Sequence, residues 1–254
     1  MKILSLGWGV QSFTLAAMSA LGEFEKVVSI HSDTSWEREA TYRFADKWTG
    51  WLQSHGVEVI TVRDKSVDIG DMVNNIHLPA HTTRLNGEIS GMLRRQCTGR
   101  WKIDPLRRYL RENGLKKGGV IMILGISYDE ALRMKDSDVK WIRHEYPLVD
   151  LKMTRHDCIN WLKSHNLEVP EKSSCVFCPY HSKKEWLKQK ERGGKDWDIA
   201  IEIDEKIRHR RPNFISYVHN SRIPLKKLTS ESDFGAKQLN FMEDSECDSG
   251  YCFL

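Results

Sequence analysis

A chain of 254 residues with 40% hydrophobic and 29% charged residues can bury one α/β domain with a small appendage, and its composition excludes a disordered or collagen-like chain. No apolar run approaches the roughly 18 residues a membrane span needs, so no membrane partner is expected. The formal charge is +4 with the basic residues dispersed except over Arg94 to Lys102 and Lys206 to Arg211, which argues against a globally basic nucleic-acid coat and leaves room for a local anion site.

In chain order, Lys2 to Leu6 reads as a short buried strand, followed by a glycine-bearing turn and a helix over 11–21. This opening lacks a basic n-region and is broken by Gly7, Gly9 and Gln11. Strand–loop–helix is therefore expected rather than a secretion signal, with a cytoplasmic location. Lys26 to His31 reads as a second strand, Glu37 to Ser54 as a helix and Val57 to Val62 as a third strand. That alternation argues for a parallel sheet covered by helices. The stretch 64–96, rich in His, Asn, Gly and Thr, reads as a long active-site loop with short helices. Gly119 to Gly125 is the most continuously apolar run and is expected to be a central strand, and Arg155 to Ser164 a helix opened by Thr154. After Pro170 the pattern turns to cysteines, charged helices and a polar tail. A boundary is placed near residue 150, dividing 1–150 from a cysteine-bearing helical extension and tail over 151–254. The expected fold is α/β: a doubly wound, mostly parallel five-stranded sheet with helices on both faces and a small helical C-terminal extension.

Ser5-Leu-Gly7-Trp-Gly9-Val-Gln11-Ser12 lies between a strand and a helix. Glycines there let backbone N–H groups approach an anion, the helix N-terminus adds partial positive charge, and Ser12 adds a hydroxyl. It is neither a Walker A loop nor a complete GxGxxG motif, and a strand–turn–helix without ligand is the plain alternative. Asp33 and Thr34 end the second strand, where open α/β sheets bind ligands, so Asp33 is placed to meet a nucleotide or metal. Its plain alternative is a helix N-cap, which Asp33, Thr34 or Ser35 could each supply. Arg133, after the apolar strand, is a candidate phosphate ligand, with an i,i+4 ion pair to Asp129 as its alternative.

The loop resembles that of the PP-loop ATP pyrophosphatases, Ser-Gly-Gly-x-Asp-Ser. It is more similar still to the branch containing phosphoadenosine phosphosulfate (PAPS) reductases and their bacterial and phage relatives, where Gly-x-Gly-Val-Gln-Ser is a variant. Trp8 replaces a glycine and Gln11 the aspartate, which removes a charge suited to magnesium. Three further segments resemble that branch in order: Ser32-Asp33-Thr34 with Glu37 and Tyr42; Gly125 through Glu130 to Arg133, with Ser127 in place of an arginine; and Tyr146-Pro147-Leu148 with Met153-Thr154. The resemblance spans about residues 3–190. It implies an adenine nucleotide alpha hydrolase-like fold, with 1–150 as the nucleotide-binding domain. It assigns Ser5, Gly7, Gly9, Gln11, Ser12, Asp33, Thr34, Gly125 and Arg133 to nucleotide binding.

Six cysteines in a chain expected to stay inside the cell read as thiols or metal ligands. Cys175-Val-Phe-Cys178-Pro179 by itself fits zinc, an iron–sulfur cluster, a redox dithiol or two buried thiols. The segment Cys97-Thr98 with Lys102 and Pro105-Leu106 resembles the Cys-Cys…Lys…Pro-Leu segment of adenylylsulfate reductases, where four cysteines hold a 4Fe–4S cluster. Here Thr98 replaces the second cysteine, and Cys97 and Cys175 are 78 residues apart. The resemblance implies a cluster on Cys97, Cys175 and Cys178 with one iron open for sulfide. The alternative is a buried thiol at Cys97 and an inert or zinc-binding CxxC. Cys247, near Cys252 in the tail, resembles the reductases' terminal nucleophile without the rest of that motif. Cys158 reads as core. His77 and His81, flanking Pro79, read as solvated loop histidines with a metal pair as the alternative, and Lys206 to Arg211 as either an RNA-phosphate cluster or a solvated helix end.

The function these resemblances imply is ATP-dependent adenylation of a substrate, releasing pyrophosphate, followed by sulfur transfer. Asp33, Lys102 and Cys247 would be catalytic, Mg²⁺ would offset the pyrophosphate charge, and Arg94 and Arg95 would join Lys102 in steadying the leaving phosphates. A sulfur donor is needed. The acceptor is a tRNA base, DNA or a small molecule, and a homodimer is a compatible assembly. The rivals are an adenylylsulfate or PAPS reductase, and a nucleotide-binding module of a phage or defence assembly.

Overall fold

The computed structural model describes residues 1–64 and 78–228. Its elements in chain order are β1 (Lys2–Ser5), α1 (Val10–Leu21), β2 (Val28–Asp33), α2 (Glu39–Ser54), β3 (Val59–Arg63), β4 (His81–Arg84), β5 (Ile89–Met92), a π-helical turn (Gly99–Ile103) and α3 (Asp104–Glu112). There follow β6 (Val120–Ile123), a 3₁₀ helix (Tyr128–Arg133), β7 (Ile142–Glu145), α4 (Pro147–Asp150), α5 (Arg155–Ser164), α6 (Lys183–Arg192), α7 (Gly194–Ile207), β8 (Phe214–Tyr217) and a last 3₁₀ turn (Leu225–Lys227). No helix among the described residues is long and apolar enough to cross a membrane. Among these residues the chain forms two compact units, one of 1–64 and 101–174, the other of 78–100 and 175–228.

The first unit is built on a five-stranded sheet of order β3-β2-β1-β6-β7 with every pairing parallel. Alternation of side chains along the strands splits its apolar residues between two cores. Leu4 and Ile123 join Phe13, Phe44, Trp48, Leu52, Cys158 and Leu162 under α1, α2 and α5. Ile3, Ile30, Met122 and Leu124 join Leu106 and Leu110 under α3. Helices therefore cover both faces, as expected of strands that read as apolar runs. The expected helix over 155–164 is present. The Thr154 side chain accepts from the Asp157 N–H while Asp157 reaches back to the Thr154 N–H, a complete capping box.

The second unit differs from a purely helical extension. Its strands β5-β4-β8 form an antiparallel sheet, joined by Asn86-Gly87, the short-range hairpin signal that a reading of this stretch as loop with short helices passed over. The pairing of β4 with β8 ties 78–100 to the C-terminal part. Helix α5, by contrast, packs its Cys158 and Leu162 into the same core as Phe13. The units accordingly divide after 174 rather than near residue 150.

Beyond β6 the backbone passes hard against the start of α1. A Cβ at Gly125 would lie 2.8 Å from the Ser12 nitrogen and 3.0 Å from its Cα. Gly125→Ala should therefore lower unfolding free energy by about 1–3 kcal/mol, a shift in the urea midpoint that Gly50→Ala, at a helical glycine with open space around it, should not show.

Candidate functional site

Strand β1 is flanked by β2 on one side and β6 on the other. The connections leaving β1 and β6 diverge there, and in open α/β sheets that switch point is where ligands bind. The loop after β1 is tightly set. Trp8 adopts a left-handed φ of 57°, and its buried indole packs edge-on to His31 and Phe44. Gly9 is the N-cap of α1 with extended backbone and no side-chain cap. The Ser12 hydroxyl accepts from the Gly7 N–H at 3.2 Å and donates to the Gly9 carbonyl at 3.3 Å, closing the loop on itself. Ser5, at the end of β1, has a buried Oγ without a hydrogen-bond partner among the described residues.

Gln11 turns across the switch point. Its Nε2 lies 3.4 Å from Ser127 Oγ and 3.2 Å from Glu130 Oε2. The other carboxylate oxygen of Glu130 takes Arg133. The i,i+4 pair of Arg133 with Asp129 does not form, because the segment is 3₁₀ rather than α, and 3₁₀ geometry eclipses i with i+3. Asp129 instead accepts the Arg155 N–H at 3.1 Å.

Asp33 ends β2 almost fully buried. Its carboxylate accepts from the Ser35 N–H at 2.7 Å, from the Tyr42 hydroxyl at 2.8 Å and from Arg63, which ends β3. Burial pushes its pKa up, but the hydrogen bonds of Ser35, Arg63 and Tyr42 and the guanidinium charge outweigh this and hold it below the ordinary value. The expectation that Asp33, Thr34 or Ser35 caps α2 is corrected: the N-cap is Arg38, whose side chain makes no capping hydrogen bond. Asp33 and Thr34 spend their oxygens on the N–H groups of Ser35 and Trp36 in local turns. Nearby, Lys102 lies in the π-helical turn, a distortion frequent at functional sites. Its ammonium pairs with Glu37 Oε1 at 3.1 Å, with both side chains under 10% exposed. Glu37 Oε2 has no hydrogen-bond partner among the described residues. Ser32 Oγ donates to the Lys102 carbonyl at 2.8 Å. Burial holds His31, beside this pair, below its ordinary pKa against the pull of Glu37.

Of the sequence-predicted residues, Ser5, Gly7, Gly9, Gln11, Ser12 and Gly125 come together at the switch point, with Arg133 joined to them through Glu130. At and beyond the end of β2, buried Asp33 pairs with the exposed Arg63, and Lys102 forms a buried ion pair with Glu37. Glu37, Arg63 and Glu130 were not singled out as site residues. Glu130 and Glu37 stood inside the segments that carry the resemblance, and Arg63 stands at a strand's carboxyl end, the position that marked Asp33.

In the second unit Cys97, Cys175 and Cys178 are partly exposed thiols. The Cys178 N–H donates to the Cys175 carbonyl at 3.1 Å, a tight turn. Burial pushes the Tyr180 phenol up, Arg95 pulls it down, and Cys178 and Cys97 push it up again, so two of the three cysteines lie within electrostatic reach of one ring. Among the described residues no group of three or more His, Cys, Asp or Glu side chains is placed to hold a metal ion. Arg95 bonds Thr98 Oγ1 at 2.9 Å and lies over the Tyr180 ring. The Lys206 to Arg211 cluster is not a run of free cations. Lys206 pairs with Glu202, and Arg208 is buried against Asp204, which also accepts the N–H groups of Val218 and Leu225. Cys158 is core, its thiol pushed up to about 12 by burial. His77, Cys247 and Cys252 lie outside the described residues.

Lys102→Met leaves the Glu37 carboxylate buried without its cation and should cost about 3–5 kcal/mol in urea unfolding, most of it recovered when Glu37→Leu is added. The lowered Asp33 pKa contributes stability that is present above the unfolded value near 3.8 and lost as the pH falls through the folded value. Arg63→Met should raise the Asp33 titration midpoint followed by carboxyl NMR and shrink that acid-dependent part of the stability.

No model of a known protein family matches this chain, and no curated protein matches its sequence. Among solved structures, the chain is similar to the phosphoadenylyl-sulfate (PAPS) reductase from Candida auris in its phosphate complex, at 14% identity and a TM-score of 0.49, with 68% of this chain and 79% of that chain covered. A likeness of that size speaks to neither the reaction nor the substrate of the present protein, and its own α/β architecture stands on the strand order described above.

Proposed function

We propose that this protein is a nucleotide-dependent enzyme of the PP-loop kind, which binds ATP at the switch point and adenylates a substrate. The observation that carries the reading is the closed loop from Ser5 to Ser12 at the carboxyl end of β1, pressed against Gly125. The N-terminus of α1 offers its first backbone N–H groups and the positive end of its dipole to a pyrophosphate. A substrate oxygen attacks the α-phosphorus, the α–β bridging oxygen leaves with pyrophosphate, and the backbone donors stabilise the charge that collects there. Lys102 is the candidate cation for the leaving phosphates, and it must exchange Glu37 for them.

Magnesium takes one or two carboxylates together with the phosphate oxygens rather than an all-protein cage. Glu130, joined to the loop through Gln11, is a carboxylate suited to it. Sulfur transfer is the proposed second step: a sulfide-level sulfur attacks the adenylated atom and AMP leaves. Cys97, Cys175 and Cys178 are the candidate sulfur-handling thiols. A 4Fe–4S cluster would supply an iron with an open position for sulfide, and three thiolates would have to draw together to hold it.

Two measurements separate the steps. Incubation with ATP and an acceptor should release AMP and pyrophosphate in equal amounts, and sulfite release from adenylylsulfate with a thiol and no ATP would establish a reductase instead. Protein purified without oxygen should carry iron and acid-labile sulfide, and their absence together with wild-type activity of the Cys97→Ser and Cys175→Ser variants would remove the cluster and the sulfur step while leaving adenylation standing.

A further inference from the structure

The network across the switch point has a feature that ATP binding by itself does not require. Glu130 presents one carboxylate oxygen to Gln11, on the loop after β1, and the other to Arg133, on the 3₁₀ helix after β6. Both partners are donors from the set that would meet phosphate oxygens. The three side chains are largely buried, with Glu130 and Arg133 15% and 13% exposed. A carboxylate has the same planar pair of acceptor oxygens that a guanidinium or an amide meets on a phosphate. Gln11 is neutral, so the loop does not itself repel an anion at this position. The negative charge stands opposite, on a residue that bonds the loop's own donor.

We propose that Glu130 is a built-in placeholder for phosphate: it holds Gln11 and Arg133 in place while the site is empty of nucleotide, and the arriving phosphate displaces it from both. The idea rests on the nucleotide reading above and deepens it. Glu130 is a positioning residue that competes with the ligand, so the protein binds phosphates more weakly than its donors alone allow. In return the donors need no reorganisation when the nucleotide arrives. Displaced, the Glu130 carboxylate is released beside the phosphates. Asp129, the neighbouring carboxylate, bonds the Arg155 N–H and has no part in this exchange.

The test is calorimetric titration of inorganic pyrophosphate, without magnesium, into the full chain and its variants, each checked for fold by circular dichroism. Glu130→Gln keeps a hydrogen-bond acceptor for Gln11 but releases Arg133, and it should bind pyrophosphate about fivefold or more tightly than the wild type. Glu130→Asp, one methylene too short to span both donors, should move in the same direction and serves if Glu130→Gln does not fold. Asp129→Asn removes an equal charge one residue away and should change the affinity by less than about twofold. In the Arg133→Met background, Glu130→Gln should bring little gain, because the competing partner is gone. Unchanged or weakened binding in a folded Glu130 variant overturns the placeholder, as does equal tightening by Asp129→Asn. A wild type and Glu130→Gln that both fail to bind pyrophosphate overturn the nucleotide reading itself.

Discussion

The contact between Gly125 and the start of α1 is the constraint on which the candidate site depends. Strands β1 and β6 are hydrogen-bonded neighbours, yet the chain leaves them in different directions. The loop after β1 must turn into a helix, and the segment after β6 must pass close enough to reach it. With no side chain at Gly125, the second backbone comes to van der Waals distance of the first. Only then can Gln11 reach Ser127 and Glu130, more than a hundred residues away in sequence. Trp8 supplies the opposite anchor. Its indole is driven into the core under α1 and α2, which holds the loop's left-handed turn against the sheet. The loop is thus gripped from below by a buried aromatic and from the side by a glycine contact.

Around that loop, charge is arranged in pairs. Asp33 with Arg63, Glu37 with Lys102, and Glu130 with Arg133 each set a carboxylate against a cation at or beyond the carboxyl ends of the strands. Where both partners are shielded from water, as in Glu37 with Lys102 and Glu130 with Arg133, a low-dielectric setting makes an unpaired charge expensive. The same cations are the natural partners of phosphates. A pair that is broken by a ligand loses one interaction and gains another, and the surrounding fold is asked for little rearrangement. The Glu37–Lys102 pair is the most fully excluded from water of the three, and one Glu37 carboxylate oxygen finds no hydrogen-bond partner among the described residues.

The second unit follows a different logic. Its antiparallel strands are short, and buried polar groups tie them to the neighbouring helix. Asp204 accepts two backbone N–H groups and pairs with Arg208, whose guanidinium also donates to the Ser216 carbonyl and lies over the Tyr217 ring. One acid thereby joins α7, β8 and the turn at Leu225. His219 is buried and held to about 4 by desolvation, with His81 adding to the fall, so it packs as a neutral ring.

Much of the first unit was legible from the sequence, because local rules sufficed. Aliphatic runs of strand length, helices of 3.6-residue period, the helix start at Thr154 and the glycine-bearing turn each involve residues within a few positions of one another. Placing the loop at a strand's carboxyl end likewise followed from chain order. The hairpin at Asn86-Gly87 is equally local, although the His, Asn, Gly and Thr content around it points to a loop. What the sequence could not determine were pairings across long separations. That Glu130 rather than Asp129 takes Arg133 depends on a 3₁₀ rather than an α geometry. That Asp33 is spent on Arg63 and Lys102 on Glu37 depends on which strands lie side by side. That β8 returns to β4, so that the chain divides after 174 and not near 150, depends on hydrogen bonds between segments 130 residues apart. Periodicity and motif order specify each element, while the partner of a buried charge is chosen only when the sheet brings distant strand ends together.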